Sequence, residues 1–144
     1  PTISRLTGSD YTGYCNRHDK NPSTEILKVD SENMYKMWVT DYLIANRDRH
    51  AENWGYLYEP YTMHILGLHP LFDHNNAFDN DLINNEDAAY QFGRRSIKEV
   101  AKYAIKRCDY RILKPVPKSL FVDVSHYECF MERCSQLGIK VPKR

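Results

Sequence analysis

The stretch Asn46-Arg47-Asp48-Arg49-His50-Ala51-Glu52-Asn53-Trp54-Gly55 is the most informative part of this chain. It follows an apolar pattern typical of a helix, and two short apolar runs separate it from Pro70-Leu71-Phe72-Asp73. Asp48 and Asn53 stand five residues apart within it. The arrangement predicts polar side chains held at the end of a packed helix, with the further aspartate Asp73 returning to the same place.

The pattern ahead of this stretch predicts a largely buried helix that begins at Ser31 and ends near Asn46. Its residues recur at steps of three and four, the period of an α-helix, and the apolar face is wide: Met34, Met37, Trp38, Val39, Asp41, Tyr42, Leu43, Ile44 and Ala45. Residues 1–30 are polar by comparison, and we predict that they form an irregular N-terminal segment.

The chain after Asn53 predicts a β-hairpin. The runs 54–58 and 63–68 are rich in aromatic and β-branched residues, and Glu59-Pro60-Tyr61-Thr62 connects them. A hairpin carries the chain away from Asn53 and back, so that Asp73 can reach the same site. Residues 73–93 are too polar for a core and predict an ordered loop or lid.

Two helices close the chain, and each has a capping-box signature. Ser96 with Glu99 starts the first, while Ser125 with Glu128 starts the second, which ends at Gly138. The predicted fold class is mainly α (α+β), with helices around a short hairpin. We expect one domain over residues 1–144.

Composition narrows the classes of function. The chain carries 20 Lys and Arg against 19 Asp and Glu, so we expect no basic field and no direct nucleic-acid binding. No apolar run approaches the ~20 residues that span a bilayer, so we expect a cytoplasmic protein without a membrane partner. The four cysteines form no Cys-x-x-Cys pair, which favours reduced thiols over zinc.

The residue types at these spacings suit phosphoryl transfer, which needs an aligned nucleophile and Mg²⁺ on the nucleotide phosphates. The Asn53 amide and the Asp73 carboxylate are the hard oxygen donors that Mg²⁺ favours. Asp48 can orient or deprotonate an acceptor hydroxyl, with Arg49 or Arg47 near the phosphates or locking the loop. The alternative is an ordinary charged helix end, which leaves the spacing of these residues without a reason.

These residues resemble two kinase families. Asp-Arg-His-x-x-Asn at 48–53 is similar to the catalytic loop of phosphoinositide kinases. The longer pattern Asn-x-Asp-x-His-x-x-Asn at 46–53, followed by a hairpin and Pro-Leu-Phe-Asp at 70–73, resembles the C-terminal lobe of HipA-like bacterial serine/threonine kinases more closely. The resemblance is specific over residues 38–78.

The resemblance implies a protein-kinase-like C-terminal lobe that uses ATP and Mg²⁺ to phosphorylate a serine or threonine of a protein substrate. It implies that Asp48 is the catalytic aspartate and that Asn53 and Asp73 hold the Mg²⁺ of the nucleotide. In the phosphoinositide families the histidine at the position of His50 is itself a candidate base, so the choice between Asp48 and His50 stays open. Members of the HipA-like family often work beside a DNA-binding antitoxin.

The chain departs from both families upstream of residue 46. No glycine-rich loop precedes it, and we interpret Lys28 as a solvated charge and not as the strand lysine of a kinase. We therefore expect the N-terminal lobe to be missing and this half to be inactive or nearly so alone. Alternatives are a phosphoinositide-type or small-molecule kinase, and a non-catalytic binding module with the kinase shape.

Overall fold

The computed structural model describes residues 4–20, 22–46, 55–59, 64–68, 77–78, 83, 85–89 and 95–143. This part of the chain is mainly helical, which confirms the predicted α-rich character. In order, its elements are β1 (Ser4–Thr7), α1 (Gly8–Arg17), α2 (Pro22–Leu43), β2 (Gly55–Glu59), β3 (His64–Leu68), α3 (Ile97–Ile105), a 3₁₀ turn (Lys118–Leu120) and α4 (Val124–Gln136).

Helix α2 is divided by a kink at Asp30, whose φ of −155° and ψ of 72° are not helical. The Asp30 carboxylate accepts a hydrogen bond from the backbone N–H of Asn33 at 3.3 Å, as an N-cap residue does. The helix that follows the kink therefore starts at Ser31, where the apolar period predicts it. The kink arises because the Asp30 side chain replaces the helical partner of that N–H.

The prediction of an irregular segment over residues 1–30 is wrong for most of its length. Strand β1, helix α1 and the first two turns of α2 lie there. Helix α1 contains two glycines and is polar on average, so its sequence pattern is weak. It contacts α2, β1 and β2, and Cys15 is fully buried in the core. Tertiary packing thus outweighs local propensity here.

Helix α3 begins as its sequence predicts. Ser96 is the N-cap, and its hydroxyl accepts from the backbone N–H of Glu99 at 3.1 Å. The apolar face of the helix is buried, and its members are Ile97, Val100, Ala101 and Ala104. The helix ends at Ile105, with Lys106 as C-cap.

Helix α4 begins two residues earlier than predicted. Its N-cap is Asp123, whose carboxylate accepts from the backbone N–H of Ser125 at 2.8 Å, so the predicted cap at Ser125 is wrong. Both residue types favour caps, and the aspartate comes first in the chain.

The predicted end of α4 at Gly138 is confirmed. Gly138 has φ of +71°, and the N–H of Ile139 bonds the carbonyl of Cys134 at 2.9 Å. The N–H of Gly138 bonds Ser135, which completes a Schellman motif. Glycine adopts this left-handed conformation without the penalty of a Cβ atom.

The three strands form one antiparallel sheet in the order β1-β2-β3. Ser4 lies opposite Tyr58 and Thr7 opposite Gly55, while Tyr56 lies opposite Leu68 in the second pair. The register shifts between Leu57 and Tyr58, which is a bulge. Strand β3 contacts α2, so the sheet lies beside the central helix.

The core forms around the second half of α2, which contacts α1, α3 and α4. Trp38 is part of this core, as predicted. The four cysteines are free thiols, and two of them are buried. None of the helices in the described ranges is both long and apolar enough to cross a membrane. The largest fully buried apolar side chains are Tyr42, Met34, Met37, Leu43, Ile97, Val39 and Val100.

Candidate functional site

The predicted catalytic and metal-binding residues lie outside the described part of the chain. These are Asp48, Arg49, His50, Asn53 and Asp73. The structure describes the residues on either side of them, from which the surroundings of the candidate site can be built.

Helix α2 ends in a tightly defined turn directly before the predicted catalytic loop. The N–H of Asn46 bonds the carbonyl of Asp41 at 2.9 Å, and the N–H of Ala45 bonds that of Tyr42 at 3.2 Å. Ala45 has φ of +48°, a left-handed conformation in which a Cβ atom is unfavourable. This Schellman-type turn therefore holds alanine where glycine is usual, and it fixes the direction in which the chain leaves α2.

A buried polar pair reinforces the same turn. The Asn46 side-chain amide donates to the Asp41 carboxylate at 3.1 Å, and both residues are 0% exposed. Buried polar groups are retained only when they are hydrogen-bonded, because desolvation is costly. The pair thus locks Asn46, the first residue of the quoted motif, onto the last turn of α2.

The chain returns to this point at Phe78. Its backbone N–H donates to the carbonyl of Ile44 at 2.6 Å. The Phe78 ring stacks on His126 with centroids 4.7 Å apart, and it meets Phe121 edge to face at 5.6 Å. Ile44 and Phe78, which bracket every predicted catalytic residue, are therefore in contact at the end of α2, and Phe78 packs against the start of α4.

Arg133, a buried residue of α4, contacts the end of α2. Arg133 is 1% exposed, and its guanidinium donates to the carbonyl of Tyr42 at 2.7 Å. It also lies over the Tyr42 ring, 4.5 Å from the centroid. The last carbonyls of a helix lack partners within the helix and carry partial negative charge, so a cation is favourable there.

Glu86 connects the same region to α3 and α4. One carboxylate oxygen pairs with Lys98 at 2.8 Å, and the other accepts from the Gln136 amide at 2.7 Å. The hydrogen bond from Lys98, followed by that from Gln136, lowers the pKa of Glu86 below its usual range. This part of the predicted loop over residues 73–93 is therefore ordered by charge-assisted hydrogen bonds.

Tyr42 completes this network at the helix end. Its hydroxyl donates to Gln136, and burial, with the nearby Glu86 charge as a second cause, raises the pKa of Tyr42. The phenol therefore stays protonated and can remain a donor over the whole physiological range. Tyr42, Gln136, Glu86 and Lys98 form one chain of hydrogen bonds from α2 to α3.

The described residues offer no metal site, and burial works against the activation of three of their thiols. Among them, no group of three His, Cys, Asp or Glu side chains is placed to hold a metal ion. Burial raises the pKa of Cys134 to about 11 and also raises the pKa values of Cys108 and Cys129. These three thiols are protonated at neutral pH, which does not suit a nucleophile.

Two of the three buried or paired polar residues that hold this region, Asp41 and Arg133, have a weak signal in the sequence. Asp41 falls within the apolar face of α2, and a polar residue there indicates a buried partner. Arg133 stands between the core residues Phe130 and Cys134, which is a similar signal on α4. Glu86 has no such signal, because its partners are distant in sequence.

A scan of protein-family models, a search of the curated proteins and a search of the solved structures found no match to this chain. A functional interpretation therefore depends on the quoted residues and on the geometry around them.

Proposed function

We propose that this chain is the C-terminal half of a HipA-like kinase, with the fold of a kinase-like C-terminal lobe. The whole enzyme transfers the γ-phosphoryl group of Mg²⁺·ATP to a serine or threonine hydroxyl of a protein, in some cases beside a DNA-binding antitoxin. Asp48 or His50 faces the acceptor hydroxyl and Arg49 the phosphates, while Asn53 and Asp73 hold the Mg²⁺. The metal neutralises the charge that develops on the phosphates.

The observation that carries this proposal is the hydrogen bond between the Phe78 N–H and the Ile44 carbonyl, at 2.6 Å. It closes the segment that contains every proposed catalytic residue. Asn53 is seven residues beyond Asn46 and Asp73 is five before Phe78, so an extended chain lets them lie up to about 24 Å and about 18 Å from these ends. The closure is therefore compatible with a metal ion that both residues hold.

The buried pair of Asp41 and Asn46 supports the proposal in a second way. Catalytic groups must be held in position before the substrate binds, and supporting hydrogen bonds provide this rigidity. The pair lies immediately before Asp48 on a helix end that Arg133 also holds.

The test is phosphoryl transfer by the protein with its N-terminal kinase lobe supplied, using ATP labelled in the γ-phosphate. We expect Asp48→Asn to lower the transfer rate by about 1,000-fold while nucleotide affinity changes little. The matched control is Asp19→Asn, because Asp19 is exposed and asparagine tolerates its φ of +53°. Unchanged transfer by Asp48→Asn moves the base to His50 or contradicts the assignment.

The same assay separates the rival functions. A phosphoinositide-type or small-molecule kinase phosphorylates a lipid or a sugar alcohol and leaves protein serines unmodified. A non-catalytic binding module binds no Mg²⁺·ATP even with the N-terminal lobe present. Either result would replace the proposed protein kinase activity.

A further inference from the structure

The net charge of +1 conceals two parts of opposite sign. Residues 1–93 carry seven Lys and Arg against 14 Asp and Glu, whereas residues 94–144 carry 13 against five. The formal charges are therefore −7 and +8. A charge asymmetry of this size within one chain indicates a surface suited to an acidic partner.

Two of these cations, Arg111 and Lys140, line an open groove of about 710 Å³. The groove lies between the chain that follows α3 and the chain that follows α4, and it is lined by Ile105 and by residues 108–113 and 137–142. Much of its lining is aliphatic and half-buried, including Ile105, Ile112, Leu137 and Val141, and Leu113 is 82% exposed. The volume lies within the range of ligand-binding pockets.

Four exposed lysines belong to the groove lining or follow it directly in the chain. Lys140 lines it, and Lys106, Lys114 and Lys143 each follow a lining residue directly in the chain. Within the part of the chain that the structure describes, none of the four is paired with a carboxylate.

The one acidic residue in the lining has its own partner. Asp109 pairs with Arg111 at 2.8 Å, and both side chains are largely exposed. The positive charge of the four lysines is therefore not balanced from inside the groove. The Lys140 ammonium therefore lies at the apolar lining without a carboxylate partner among the described residues.

We propose that this groove binds an acidic segment of a partner protein, with aliphatic side chains on the groove floor and carboxylates against the lysines. An amphipathic peptide in a hydrophobic groove is a common recognition mode, and complementary charge adds specificity and speed of association. This proposal does not depend on the phosphotransferase function.

The lining favours a peptide over a nucleic acid. Single-stranded nucleic acids are usually bound by stacking bases on accessible aromatic rings. The aromatic residue of the groove, Tyr110, is half-buried, and its hydroxyl is hydrogen-bonded to Thr40 at 2.9 Å. The cations around the groove are mainly lysines, which lack the two-pronged geometry by which arginine recognises phosphate.

The experiment is a fluorescence anisotropy titration of the 144-residue chain. The probe is a labelled amphipathic peptide with leucines on one face and glutamates on the other. The same peptide with lysine for glutamate and a labelled single-stranded oligonucleotide serve as competing probes. Of the three probes, we expect only the acidic peptide to bind saturably, and we expect salt to weaken its binding.

Charge reversal locates the site. We expect the double variant Lys140→Glu, Lys143→Glu to weaken peptide binding at least about 10-fold. The control is Lys102→Glu, Lys118→Glu, which makes the same charge change outside the groove. We expect this control to change peptide binding less than about twofold. Leu113→Ser, at an exposed position that leaves the fold intact, is expected to weaken it about threefold. The absence of saturable binding, equal weakening by both pairs, or tighter binding of the oligonucleotide would overturn the proposal.

Discussion

At the scale of single residues, three buried polar side chains define the end of α2. Asp41 and Asn46 bond each other, and Arg133 satisfies the carbonyl of Tyr42. Each is at most 1% exposed, so none of them can exchange its partner for water. Their hydrogen bonds offset the cost of desolvation only while the turn at Ala45 keeps its conformation.

Replacing Arg133 by methionine tests this dependence. The change removes the guanidinium contact with the Tyr42 ring and one of the two donors to the Tyr42 carbonyl, which keeps only the Ala45 N–H. We expect the free energy of unfolding to fall by about 2 to 3 kcal/mol. Urea unfolding measures it. The control is Arg111→Met, because Arg111 is 72% exposed and its pairing with Asp109 is worth less than about 0.5 kcal/mol. Equal effects of both changes would show that Arg133 does not support the helix end.

At the scale of elements, the helix boundaries show which sequence signals depend only on neighbouring residues. The Ser96 cap and the Gly138 stop were predictable, since each depends on residues within one turn. The start of α4 was not, because Asp123 and Ser125 are both good caps and only the observed hydrogen bond separates them. Helix α1 was missed because packing, and not an apolar period, specifies it.

Alanine substitutions at the three candidate caps distinguish the two assignments for α4. We expect Ser96→Ala and Asp123→Ala each to lower the free energy of unfolding by about 1 kcal/mol, because each removes the acceptor of an N-terminal helix N–H. Ser125→Ala is expected to change it by less than about 0.5 kcal/mol. Thermal or urea unfolding measures these changes. A larger loss of unfolding free energy for Ser125→Ala than for Asp123→Ala would show that Ser125 is the N-cap of α4.

At the scale of the whole molecule, Glu86 connects elements that are far apart in sequence. It bonds Lys98 at the start of α3 and Gln136 at the end of α4, and Gln136 bonds Tyr42 of α2. No sequence pattern predicts such a junction, since it depends on how three helices pack. For the same reason, no sequence pattern predicts the hydrogen bond between Ile44 and Phe78, on which the candidate site depends.

The pH dependence of stability tests the Glu86 junction. The pKa of Glu86 is lowered in the folded protein, so its contribution is present above the unfolded pKa and is lost as pH falls through the folded value. We expect stability to decline from about pH 5 to about pH 3, and to decline less in Glu86→Gln. Urea unfolding at several pH values measures this. Identical pH profiles for the two proteins would contradict the assigned role.

The central claim is that Asn53 and Asp73 meet at one metal site beside the end of α2. Manganese can stand in for Mg²⁺ at oxygen ligands, and its unpaired electrons broaden the NMR signals of nearby nuclei. Titrating Mn²⁺ into this chain should broaden the amide signals of Ile44, Asn46 and Phe78 before that of Leu113. The effect should disappear in the Asn53→Ala, Asp73→Ala double variant. Broadening that is uniform along the chain, or that persists in the double variant, would contradict the claim.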